Sequence, residues 1–100
     1  MDENDDVYAL LGVQPIRAEI LRVTLARHQV TAAELMEELD LTRNGVGKHL
    51  TELTNAGLLV ERRATHPRGT GGIIYWSADR AAITNALLTL VGRILSHPRI

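Results

Sequence analysis

The chain has 100 residues, enough for one domain with a single modest core over residues 1–100 and too few for a separate catalytic or ligand-binding domain. It contains no cysteine, which excludes disulfides, thiolate catalysis and cysteine-based metal sites, and with no Phe its core must come from Leu, Ile, Val and Ala, a composition suited to packed helices. The formal net charge of −1 hides a division along the chain: residues 1–6 hold four acids and no base, whereas residues 41–77 hold five bases (Arg43, Lys48, Arg62, Arg63, Arg68) against two acids (Glu52, Glu61).

The acidic start is the opposite of a secretory leader, and the apolar runs are too short to cross a bilayer, so a cytoplasmic location is expected, with no membrane partner. Val7–Leu11 reads as a short helix stopped by Gly12. Pro15 suits the first turn of a longer helix, in which Ile16, Ile20, Val23 and Leu21, Leu25 recur at helical spacing to about His28. Val30 forms a short extended piece. Thr31 and Glu34 have capping-box spacing for a helix through Leu35, Met36 and Leu39. Asp40-Leu41 then makes a turn, and Thr42 caps a third helix ending near Asn55-Ala56-Gly57. Two short helices so closely joined read as a helix-turn-helix.

Beyond Gly57, Leu58–Arg63 and Ile73–Ser77 are strand-like runs around a turn-rich stretch, Ala64–Gly72, which together predict a β-hairpin. Asp79 then caps a last helix running to Leu95. The expected fold is mainly α with a small β-hairpin wing: a winged helix-turn-helix.

On the third helix, Val46, Leu50 and Leu53 face the core at i, i+4 and i+7, which turns Thr42, Arg43, Asn44, Gly47, Lys48 and Thr51 outward, with His49 and Asn55 toward the flanks. A helix of this width fits the major groove of double-stranded DNA, where Arg or Lys donates to guanine and Asn pairs with adenine. Arg43 and Asn44 are the best candidates for base contacts. Gly45 and Gly47 each cost about 1 kcal/mol relative to Ala; close backbone approach to DNA and an ordinary weak spot are the two readings of them. In the hairpin, Arg62, Arg63, His66 and Arg68 suit contacts to phosphates or the minor groove.

The segment Gly47-Lys48-His49-Leu50-Thr51-Glu52-Leu53-Thr54-Asn55-Ala56-Gly57-Leu58 resembles the Ser-x-His-Leu-x-x-Leu-x-x-Ala-Gly-Leu signature of the ArsR-like winged-helix regulators of prokaryotes, with glycine at the serine position. Pro15-x-Arg17-x-x-Ile20-Leu21 is similar to that family's first helix, and Glu61-Arg62-Arg63 and Ile74–Ser77 to its wing strands; the resemblance covers about residues 10–80. It implies a DNA-binding transcription regulator that dimerises through its terminal helices. Many members sense metals through cysteine or histidine-carboxylate clusters, but His28, His49, His66 and His97 have no paired ligand spacing here, so neither a metal site nor a cofactor is expected.

The last helix is apolar around much of its circumference. Ile83, Leu87, Leu90, Val91 and Ile94 form one stripe while Leu88 and Leu95 project to another side, more apolar surface than one small domain covers, so a homodimer interface is expected there. A two-fold dimer sets its two recognition helices about 34 Å apart on a partly palindromic site. With no phosphate-cradling glycine motif and no catalytic constellation, the chain is not expected to be an enzyme. A sequence-specific regulator, acting as a repressor by occupancy, is the leading reading. The rival is a winged-helix module that binds protein instead of DNA. The sequence names no effector.

Overall fold

The computed structural model describes residues 8, 10–65 and 71–96. Among these residues the elements run α1 (Pro15–Arg27), α2 (Ala32–Leu39), α3 (Arg43–Asn55), β1 (Leu59–Thr65), β2 (Gly72–Ala78) and α4 (Arg80–Leu95). Of the short helix expected over Val7–Leu11, Tyr8 and Leu10 are helical, and the Tyr8 carbonyl accepts from Val13 N–H at 2.9 Å across Gly12, whose φ is 68°; Val7, Ala9 and the acidic leader lie outside the described residues.

Each helix boundary has a chemical cause. Pro15 opens α1, where a missing N–H leaves no bond unmade. At α2 the capping box forms in full: Thr31 Oγ1 accepts from Glu34 N–H at 3.2 Å, and Thr31 N–H donates to Glu34 Oε1 at 2.8 Å. Asp40 takes the left-handed conformation at φ 53°, turning the chain so that Leu41 N–H donates to the Met36 carbonyl at 3.0 Å. Thr42 Oγ1 accepts from Gly45 N–H at 3.1 Å and caps α3, a contact of about 1 kcal/mol. Gly57, at φ 83°, reverses the chain after α3, and Leu58 N–H bonds back to the Leu53 carbonyl at 3.0 Å.

The core is one cluster drawn from the three helices α1–α3, the α1–α2 connection and β1: Ile20 and Val23 of α1, Val30, Leu35 of α2, Val46, Leu50 and Leu53 of α3, and Leu59 of β1. Leu39, Leu41 and Trp76 pack half-buried against it. Thr24 is the buried polar residue here, and its hydroxyl donates to the Ile20 carbonyl at 2.7 Å, so burial leaves it no unmet bond.

The strands β1 and β2 pair antiparallel from Leu59↔Ala78 to Thr65↔Gly72. Both outrun their sequence expectation, because Ala64, Thr65 and Gly72, assigned to the loop by composition, continue the ladder once its register is set. Val30 flanks the opposite edge of β2, exchanging two backbone bonds with Trp76 at 2.9 and 2.8 Å. This anchors the wing to the connection between α1 and α2. Asp79 Oδ1 caps α4 by accepting from Ala82 N–H at 2.9 Å, but only the start of α4 meets the body, where Ile83 is buried. With 16 residues the helix is about 24 Å long, and the molecule is drawn out to 63 × 31 × 22 Å.

Candidate nucleic-acid interface

Burial of Val46, Leu50 and Leu53 sets the phase of α3. At 3.6 residues per turn the opposite stripe is Asn44, Lys48, Thr51 and Asn55, and all four are exposed. No acidic residue interrupts this stripe. It carries amide, ammonium and hydroxyl groups on a rigid element, a suitable display for base edges and phosphates. Asn55, expected on a flank, completes the stripe; its spacing of eleven residues from Asn44 was the signal for it.

The other expected contact residues divide between the two edges of the helix. Arg43 and Gly47 turn toward the wing, where with Thr51, Asn55, Glu61 and Trp76 they border a groove of about 260 Å³. His49 lies on the opposite edge, half-buried against α1, and its Nδ1 accepts from Arg17 Nε at 3.3 Å. Partial burial first, and then the charges of Arg17 and Lys48, hold the His49 pKa below its usual value. Arg17 also forms an ion pair with Glu52, one turn further along α3. Thr42 is exposed at the start of the helix with its hydroxyl engaged as the cap.

The two helix glycines separate by their surroundings. A Cβ on Gly45 would stand 3.1 Å from Thr42 Oγ1, so this glycine makes room for the cap. A Cβ on Gly47 would meet nothing within 4 Å. Packing within the chain therefore gives no reason for Gly47, which leaves an unfilled place on the groove beside the wing.

Strand alternation distinguishes the two wing arginines, which composition treats alike. Arg63 shares the face of Leu59 and Glu61, which looks toward α3. Arg62 lies on the reverse face, where its guanidinium sits 4.9 Å from the Tyr75 ring centre and donates to Gln29 Oε1 at 3.0 Å. These contacts tie β1 to β2 and to the loop before Val30, so Arg62 braces the wing. His66 and Arg68, the remaining wing candidates, lie outside the described residues.

On α4, Leu87, Leu88, Leu90, Val91, Ile94 and Leu95 are all exposed, Leu88 at 62% and Leu95 at 71%. Ile83 departs from the expected interface set: at 9% exposure it is covered by the chain itself, because it lies in the first turn of α4, next to the hairpin. Among the described residues no group of three or more His, Asp or Glu is placed to hold a metal ion, and no helix is long and apolar enough to cross a membrane.

A capped helix pair followed by a two-stranded antiparallel hairpin defines the winged helix-turn-helix class of mainly helical proteins. Residues 13–62 match the family described as "Helix-turn-helix domain", and the chain belongs to that family. Similar solved structures share the architecture. One is a possible transcriptional regulator from Methanosarcina mazei, 14% identical, with a TM-score of 0.64 over 94% of this chain and 83% of that one. Another is a transcriptional regulator homologue from Pyrococcus horikoshii, 20% identical, with a TM-score of 0.63 over 84% of this chain and 86% of that one. A third is ZitR of Lactococcus lactis, described as a zinc-responsive MarR family member, 28% identical, with a TM-score of 0.59 over 79% of this chain and 52% of that one. Comparison with curated proteins finds no match.

Proposed function

We propose that this chain is a sequence-specific, double-stranded DNA-binding transcription regulator of ArsR-like type, which acts as a homodimer and represses by occupying its site. The observation that carries the reading is the exposed stripe Asn44, Lys48, Thr51 and Asn55 on a helix whose other side is locked into the core. Membership of the helix-turn-helix family supports it. The motif from Gly47 to Leu58 supports the ArsR-like assignment within that family.

In this reading α3 enters the major groove. Asn44 and Lys48 read base edges, Arg43 reads bases or phosphates from the groove beside the wing, and Arg63 meets backbone phosphates. The exposed apolar face of α4 closes a dimer with its counterpart from a second copy, and residues 1–100 form one unit in which the terminal helices dimerise.

Selection of bound fragments from random duplex DNA, followed by titration of a selected duplex at two salt concentrations, tests the proposal. Phosphate contacts predict a steep loss of affinity with salt and recovery of a partly palindromic sequence. Asn44→Ala is expected to lower discrimination between the selected and a scrambled duplex by about 1–3 kcal/mol if the amide pairs bidentately with a base. A chain that binds no duplex at any salt concentration would instead be a protein-binding module.

A further inference from the structure

One guanidinium holds α3 at two points. Arg17 of α1 donates through Nε to His49 Nδ1 at 3.3 Å and pairs through Nη2 with the Glu52 carboxylate. His49 and Glu52 are three residues apart and so lie on one edge of the helix. The planar, rigid fork of Arg spans that turn; a lysine ammonium is a single point charge on a flexible stem.

The apolar seam of Val46, Leu50 and Leu53 sets which face of α3 is buried, but burial of apolar surface is non-directional and defines small rotations about the helix axis less sharply than a directed polar contact does. At the rim of a helix about 5–6 Å in radius, a roll of about 20° displaces a side-chain tip by about 2 Å. That is enough to break a hydrogen bond to a base edge. Two directed contacts on one edge oppose such a roll.

We propose that Arg17 is a positioning residue that sets the roll of α3, and with it the register of Asn44, Lys48, Thr51 and Asn55 on a DNA groove, by gripping His49 and Glu52 together. The proposal rests on the DNA-binding reading above and names a determinant of its specificity that touches no DNA. The grip depends on protonation. Nδ1 accepts only in the neutral ring, with the proton on Nε2. A second proton removes the acceptor and sets an imidazolium against Arg17 of α1 and Lys48 of α3, with Glu52 of α3 the facing carboxylate. Burial and the two cations already keep His49 neutral below its usual 6.5, so the clamp is closed at neutral pH and opens on acidification.

The test compares the parent with Arg17→Lys, which keeps the charge and gives up the two-point grip. Affinity is measured for the selected duplex and for a scrambled duplex of equal length, between about pH 7.5 and 5.5, and His49 is titrated by NMR. At the upper pH, Arg17→Lys is expected to lower the selected-to-scrambled ratio about tenfold while leaving affinity for the scrambled duplex unchanged. The parent ratio should fall as the pH drops through the lowered folded pKa of His49, which the NMR titration locates; the variant ratio should stay flat across that transition. A residue that only supported the fold would shift the melting temperature and leave the ratio alone. An unchanged ratio in Arg17→Lys, with DNA binding intact, overturns the clamp and spares the reading beneath it; a parent that binds no duplex overturns both.

Discussion

Both α3 and α4 are amphipathic, yet they end in opposite situations. In α3 the apolar stripe is satisfied by the chain's own core, with Val46, Leu50 and Leu53 at 4% exposure or less, and the polar stripe is left open. In α4 the chain covers Ile83 and leaves six large apolar residues from Leu87 to Leu95 at 41% exposure or more. The surface left uncovered indicates the kind of partner it fits. An exposed polar and cationic stripe already satisfied by water gains from a polyanion, which releases counterions. An exposed apolar stripe gains only by leaving water, which requires another apolar surface.

The largest effect expected from breaking this contrast is on the α3 side. Leu50→Ala should cost about 2–5 kcal/mol of stability in chemical denaturation, because it empties a fully enclosed position. That loss should not depend on protein concentration. Leu88→Glu, at an exposed position, should leave helix content intact by circular dichroism while converting the proposed dimer to monomers in sedimentation analysis. An unchanged mass would remove the Leu88 side of α4 as the interface, and an unchanged mass in Leu90→Glu as well would remove α4 altogether. Stability of the parent should rise with concentration if α4 closes a dimer, and Leu88→Glu should abolish that dependence.

A smaller effect sharpens the reading of α3. Gly47→Ala should stabilise the free chain by about 1 kcal/mol, since its Cβ meets nothing within 4 Å. It should also weaken duplex binding, because the methyl group stands in the groove between α3 and the wing. Equal affinity of variant and parent would mean that Gly47 serves no close approach.

The smallest effect is on the pH dependence of stability. His49 takes up its proton at lower pH in the folded chain than in the unfolded chain, so below about 6.5 the unfolded state binds more protons. The stabilising contribution of the neutral ring is therefore complete above 6.5 and is lost as the pH falls toward and through the lowered folded value. Arg17→Ala removes one of the charges that depress it, and acid denaturation midpoints of the two chains should show a reduced His49 component in the variant.

Much of the architecture was legible without coordinates because its signals are local. A Thr-x-x-Glu box, a proline at N1, a Thr cap and the glycine after α3 each act within one turn of the chain, and a period of 3.6 needs only the sequence to be counted. The reading of α4 as a helix short of partners likewise needed only the tally of its apolar positions. Turn composition is also local and extends the hairpin loop over Ala64–Gly72, whereas Ala64, Thr65 and Gly72 are held in the ladder by partners on the opposite strand.

The roles of individual side chains were decided by contacts between distant parts of the chain. Thirty-two residues separate Arg17 from His49 and thirty-three separate Gln29 from Arg62; neither pairing has a periodicity to reveal it. The sequence by itself determined which residues form helices and which face of each is apolar, since both follow from short-range geometry. Only the tertiary structure decided that His49 is turned against α1, that Arg62 braces the wing while Arg63 faces α3, and that Ile83 is buried within the chain. Those outcomes depend on how helices and strands are rotated against one another, and that rotation is set by long-range packing.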